Sequence, residues 1–399
     1  MEYDFATIFD RFNIGSTKWE EMRKYGITPE MHIMPMSNAE MEFYNAPEIV
    51  SGVQDYLGKT VLAYFTPTQD YFNAVCGWME RRHKWKVERE WVVPYPGIHG
   101  ALCMMIQAYL HLGDGVIVMT PTWPGFFHVI QENGCVQVDN PLLAVGDTYY
   151  IDFEDLEKKA KDPNNKILFF CSPQNPAGRV WTRDELYRVG RICTDNNVLI
   201  VSDELHSDLI MPGYTHIPFA TVCEDFNSRL ITCTAPSKTF NLAGLIASNV
   251  IISDEGLRKA FQKQKSRCGI FRPDMLAMKA CELAYTKGDA WLDACIAQIY
   301  ENACYVTSFI EKNLPMLKVT KLEGSYLMWV DMRALGLDNA ELERALMNDA
   351  HAFFDDGYYF GPNGHGFERI NIACPLQCVI DVMENLRQWV DKLMKSKSN

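Results

Sequence analysis

Four short segments of this chain carry side chains whose types suit chemistry on a small molecule. Trp123 stands in Thr120-Pro-Thr-Trp-Pro-Gly125, Asn175 in Ser172-Pro-Gln-Asn-Pro-Ala-Gly178, Asp203 and His206 in Ser202-Asp-Glu-Leu-His206, and Lys238 in Thr234-Ala-Pro-Ser-Lys-Thr239. Each lies at or just beyond the end of an apolar run that reads as a strand: 115–119, 166–171, 198–202 and 230–233. In an open parallel sheet, ligands sit outside the carboxyl ends of the strands. The topology therefore predicts that an indole, an amide, a carboxylate, an imidazole and an amine gather at one rim.

That set suits pyridoxal 5'-phosphate (PLP). The cofactor needs a lysine amine for its Schiff base, an anion opposite its pyridinium nitrogen, hydrogen bonds at its phenolic oxygen and an aromatic face. Lys238 and Asp203 are the candidate amine and anion. The phosphate needs amide donors at a helix start, and Gly97, Ile98 and His99 open the helical stretch 101–109. A second glycine-rich stretch, 361–366, reads as a turn ahead of a short strand, not as a phosphate cradle.

The elements that must position these groups are legible in part. From about residue 90 to 255, short apolar runs, including a fifth at 249–253, alternate with amphipathic stretches, the pattern of βα units wound into a mostly parallel sheet. One helix is well marked: Thr182 and Glu185 form a capping box, apolar Leu186, Val189, Ile192 and Cys193 follow, and Asn196-Asn197 ends the element. After about residue 285, longer helical stretches surround a strand pair near Val319 and at 326–330, and a strand at 369–372. The expected organisation is a large cofactor-binding domain over 46–285 and a smaller α+β domain over 286–399, with residues 1–45 packed against the latter.

Composition limits the partners. The 399 residues are 48% hydrophobic and 22% charged, the profile of a globular protein, and the net charge of -13 is unsuited to a nucleic acid backbone. Acidic residues in the first 17 positions argue against a secretion signal, and no apolar run approaches a membrane span, so a cytoplasmic protein is expected. Thirteen scattered cysteines, odd in number and mostly in apolar runs, read as reduced core thiols, with no metal site. The charge runs at Glu20-Glu21 and 154–161 read as solvated helix faces.

Nearly end to end, the chain resembles the fold type I PLP-dependent enzymes of the class I/II aminotransferase superfamily and, within them, the MalY/PatB-type cystathionine β-lyases. The resemblance rests on Phe9-Asp-Arg11, Ser16-Thr-Lys-Trp19, Asn175-Pro-Ala-Gly178, Ser202-Asp-Glu-Leu-His206, the segment 235–244 and the segment 366–375. It implies an α/β fold whose large domain holds a mostly parallel seven-stranded sheet. It implies that Lys238, with Ser237 beside it, forms the Schiff base and then acts as base at the substrate Cα. Asn175 and His206 are implied to hold the phenolic oxygen, Trp123 to stack on the ring, and Arg369 to clamp the substrate α-carboxylate. Tyr64 is implied to reach the cofactor phosphate of a partner subunit in a homodimer with shared sites.

The implied reaction is α,β-elimination of L-cystathionine or a related L-cysteine S-conjugate to thiol, pyruvate and ammonia. Two alternatives stand beside it: amino-group transfer by the same cofactor apparatus, and a regulatory protein-binding role. The chain departs from the family pattern at several positions. Ser37-Asn-Ala-Glu-Met-Glu-Phe43 replaces a Trp-Val-Ala-Asp-Met-Asp-Phe-like stretch, which implies an altered substrate wall. Ala63 replaces a glycine, and His99 a smaller or apolar residue. Ile246 stands where many related aminotransferases have a phosphate-binding arginine, which favours the lyase branch. Arg272 is a candidate reader of a distal acidic group on the substrate.

Overall fold

The computed structural model describes residues 3–31, 33–271 and 273–397. Among these residues thirteen strands follow in chain order. They are β1 (Val92–Pro96), β2 (Gly115–Val118), β3 (Val136–Asp139), β4 (Leu143–Val145), β5 (Thr148–Tyr150), β6 (Asn165–Cys171) and β7 (Leu199–Asp203). Then come β8 (Leu230–Thr234), β9 (Ala247–Ile251), β10 (Lys318–Val319), β11 (Leu327–Asp331), β12 (Asp355–Asp356) and β13 (Phe367–Asn371).

Seven of them form the main sheet, in the order β1-β9-β8-β7-β6-β2-β3. Strands β8, β7, β6, β2 and β3 run parallel, and β9 runs against both of its neighbours. Helices cover both faces, so the central strands are buried along their length and read as continuous apolar runs without alternation. Side chains of successive residues still part to opposite faces: Val116, Val118, Ile167, Phe169 and Val201 join one core cluster, and Ile117, Leu168, Phe170 and Ile200 the other.

Four of the five expected strands lie within one residue of the observed ones. The fifth sits at Ala247–Ile251, two residues earlier than the apolar run suggested, and is the one antiparallel member. Strands β1 and β3 escape the periodicity. Pro94 and Pro96 disguise β1, which tolerates them because it lies at the sheet edge and pairs only with β9. Strand β3 is the opposite edge and is partly exposed. The helix Arg183–Asp195 begins at the expected capping box, Thr182 accepting from the Glu185 amide at 3.2 Å while Glu185 accepts from the Thr182 amide at 2.8 Å.

The second sheet, β10-β11-β13-β12, is antiparallel throughout. Long helices, Asp289–Asn313 and Leu376–Lys397, accompany it. The chain between Met36 and Glu42 hydrogen-bonds to this part of the molecule, through Met36 to the Phe353 carbonyl, Asn371 to the Met36 carbonyl and Glu42 to the Ala373 carbonyl. Among the described residues no helix is long and apolar enough to cross a membrane.

Candidate active site

The carboxyl ends of the parallel strands open into a cavity of about 240 Å³. Nine of the eleven candidate site residues line it: Gly97, Ile98, His99, Trp123, Asn175, Asp203, His206, Ser237 and Lys238. The parallel register explains the convergence, because strands of one polarity deliver their following loops to one edge.

At one end of the cavity, Gly97 caps the helix Ile98–Tyr109 with φ +78, a conformation a side chain rarely adopts. The free amides of that helix's first turn are the natural receptors for an anion. Trp123 stands edge-on to Phe126, with ring centroids 5.5 Å apart, and edge-on to His99 at 6.1 Å. Its position requires Gly125, since a Cβ there would lie 2.2 Å from the indole.

Asp203 ends β7 deep in the sheet, paired in register with Cys171 on β6 and Cys233 on β8. Its carboxylate accepts one hydrogen bond, from the Leu205 amide at 3.2 Å. Burial raises its pKa to about 6, against the opposing pull of that amide and of Lys238. This is a buried anion without a contacting cation among the described residues. The protonated ring nitrogen of PLP is such a cation, so the cavity fits the cofactor on electrostatic grounds.

Lys238 occupies the short helix Pro236–Thr239, anchored where Thr239 donates to Asp208 at 2.7 Å. Its Nζ donates to the Ala39 carbonyl at 2.7 Å. Burial, and then the nearby Arg369 guanidinium, lower its pKa to about 8, while Asp203 and Glu40 act in the other direction. An amine so tuned is in part a free nucleophile near neutral pH. His206 is held well below the ordinary imidazole range by burial and by the Lys238 and Arg369 cations, and is therefore neutral.

Arg369 lies on β13 next to this cavity instead of in its wall. Its Nη1 donates to Asn175 Oδ1 at 3.0 Å, while Nε and Nη2 grip Asp355 Oδ2 at 3.0 and 2.7 Å. The guanidinium also stands over the Phe360 ring, 4.6 Å from its centroid. Among the described residues, of its five N–H groups one on Nη1 and one on Nη2 remain as donors for a carboxylate. Because Asn175 spends its oxygen on Arg369, its amide N–H groups are the part left to donate.

Tyr64 is not brought to the cavity; it stands 90% exposed on a coil between two helices. Ile246 lines the cavity in a left-handed conformation with φ +46. Arg272 lies outside the described residues.

Sequence reasoning missed the residues that hold the wall over Lys238. Ala39 lies in Ser37–Phe43, and that segment is fixed by Glu42. Lys18 pairs with Glu42 Oε1 at 2.7 Å, Arg11 with the same oxygen at 2.8 Å, and Trp19 donates to Oε2 at 3.2 Å. Asn371 donates to the Asn38 and Glu40 carbonyls, and Asn241 exchanges two hydrogen bonds with the Met41 backbone. The motifs around Arg11 and Lys18 were visible as a pattern, but nothing in their spacing says which carboxylate they hold. Asp355 and Ser325 were likewise unmarked, because their partners lie 14 and 119 residues away.

Comparison with known proteins bears on the whole chain. The family model for aminotransferase class I and II matches residues 32–382. The chain is 39% identical to cystathionine beta-lyase PatB of Bacillus subtilis, over 95% of its own length and 97% of the relative's. It is 30% identical to protein MalY of Escherichia coli, over 94% and 95%. Among solved structures, cystalysin from Treponema denticola, which contains PLP, superposes with a TM-score of 0.96 at 41% identity, covering 98% of this chain and all of that one. A PLP-bound C-S lyase from Staphylococcus hominis superposes at 0.91 with 29% identity, covering 98% of this chain and 99% of that one. The chain belongs to the aminotransferase class I and II family, in the branch that holds PatB and MalY.

Proposed function

We propose that the protein is a PLP-dependent carbon–sulfur β-lyase that cleaves L-cystathionine or a related L-cysteine S-conjugate to thiol, pyruvate and ammonia. The observation that carries the reading is the pair facing one cavity: a lysine amine lowered to about 8 and a buried carboxyl raised to about 6. PLP is named for the similar structures from Treponema denticola and Staphylococcus hominis, and C-S lyase for the second of them.

When bound, PLP supplies an electron sink for the pair left at the substrate Cα after proton removal. In this reading Asp203 holds the proton on the ring nitrogen, Asn175 and His206 donate to the phenolic oxygen, and Trp123 covers one face. The first-turn amides of Ile98 and His99, following Gly97, together with Ser237, hold the phosphate. Arg369 receives the substrate α-carboxylate on its remaining N–H groups, with Asp355 and Asn175 fixing the plane of the guanidinium. Lys238 removes the Cα proton, the Cβ–S bond breaks, and the thiolate leaves with the electron pair of that bond. The aminoacrylate that is released hydrolyses to pyruvate and ammonia.

The active unit in this reading is a homodimer, in which Tyr64 serves the partner's phosphate. Support comes from the coil that carries it, where Val61 and Leu62 are 77% and 78% exposed, with Phe271 exposed elsewhere on the surface.

The test is turnover of L-cystathionine by the PLP-loaded protein with and without an added 2-oxo acid. Pyruvate and free thiol without the 2-oxo acid are expected, and Lys238→Ala should lower turnover at least about 10³-fold. Amino-group transfer that requires the 2-oxo acid would overturn the lyase assignment in favour of an aminotransferase.

A further inference from the structure

Among the described residues, the ring of His206 is hydrogen-bonded through one nitrogen. Its Nδ1 lies 2.9 Å from the Ser325 hydroxyl, and the bond is buried. Ser325 belongs to a turn just ahead of β11, 119 residues further along the chain. That turn is clamped on both flanks. The Glu323 and Gly324 amides donate to the Gly178 carbonyl, the Ser325 amide donates to the Leu209 carbonyl at 2.6 Å, and Gly324 bridges to Ile210. Glu323 is held in turn by Arg179 at 2.7 Å.

The backbone at Ser325 has φ +76, in the left-handed region where glycine is the undemanding residue. Yet the chain places Gly324 one position earlier, where φ is not positive, and puts a serine at the strained position. A non-glycine residue kept in such a conformation points to a task for its side chain. The only side-chain hydrogen bond that Ser325 makes among the described residues is the one to His206.

The direction of that bond decides what His206 presents to the cavity. If Nδ1 carried the proton and donated to Ser325, the serine hydroxyl hydrogen would be left buried without an acceptor, and Nε2 would offer a bare lone pair. If the serine donates, every proton has a partner on this side and Nε2 carries an N–H. We infer that Ser325 is a positioning residue whose hydroxyl donates to Nδ1, fixing His206 as the Nε2–H tautomer and aiming a donor at the phenolic oxygen of PLP. The inference rests on the reading of the cavity as a PLP site.

The test is ¹⁵N NMR of the PLP-loaded protein labelled at histidine, comparing wild type with Ser325→Ala, Ser325→Gly and Ser325→Thr. Ser325→Gly matters because it removes the hydroxyl while suiting the backbone, so a change there cannot be assigned to misfolding. The expected result is an Nε2–H shift pattern for His206 in wild type and Ser325→Thr, replaced by a tautomer mixture in the alanine and glycine variants. The pH midpoint of the PLP visible band should move in those two variants, and kcat should fall about tenfold with KM within about twofold. An Nδ1–H pattern in wild type, or an unchanged Nε2–H pattern in both hydroxyl-free variants, overturns the inference. Failure of the lyase reading is separate: it shows as absent C–S cleavage by wild type, whatever the tautomer.

Discussion

Lys238 has a chemistry set by its surroundings, and this makes its protonation a stability term in the PLP-free protein. The pKa falls from the ordinary 10.5 to about 8 on folding. Below pH 8 both states carry the proton; between 8 and 10.5 the unfolded chain keeps it and the folded chain does not. Stability therefore rises with pH across that window and is lost as pH falls back through 8. Water reaches the cavity, so the effect should be about 1–3 kcal/mol. Urea unfolding of PLP-free wild type against Lys238→Met should show the wild type gaining on the variant between pH 8 and 10.5, and a constant gap below 8. A gap that does not change with pH would mean that the amine keeps its ordinary pKa. Lys238, Asp203, Asn175 and His206 were legible in the sequence because each ends or follows a strand in a recognisable motif. The shifts were not, because burial and the neighbouring Arg369 exist only in the fold.

At the scale of elements, the segment 37–43 is a wall held by the N-terminal chain. Lys18 and Glu42 are both 1% exposed, so their pairing is a buried one, in which the remaining partner of a broken pair is costly. Replacing Glu42 with alanine leaves the Lys18 ammonium buried without its anion and should cost about 3–5 kcal/mol, read as a lower urea midpoint. Adding Lys18→Met to that variant should recover much of the loss. Equal stability of Glu42→Ala and wild type would show that water replaces the carboxylate. The departure at Ser37–Phe43 was visible in the sequence, but its consequence was not. That consequence is the Ala39 carbonyl receiving the Lys238 amine, which depends on anchors at Asn241, Asp355 and Asn371.

For the whole molecule, the exposed side chains are the informative ones. Val61, Leu62 and Tyr64 form a run of apolar surface on a coil, a costly arrangement for a lone subunit. Light scattering should give a mass about twice 45.7 kDa. Leu62→Arg should shift the protein toward the single-chain mass and weaken PLP retention, while Tyr64→Phe should weaken retention with the mass unchanged. A fully active single-chain species would remove Tyr64 from the site.

The sequence by itself determined the α/β class, the central parallel strands and the order of the groups at their carboxyl ends. These follow from apolar runs and loop motifs that are local in the chain. It did not reveal β1, whose prolines are tolerated only at an edge, nor the reversed direction of β9, since edge and polarity are properties of a finished sheet. It named Arg369 without its grip on Asp355 and Asn175, and His206 without Ser325. Such contacts join residues up to 194 positions apart. Only the tertiary structure decides them, because hydrogen-bond geometry and burial, unlike residue type, have no value until the chain is folded.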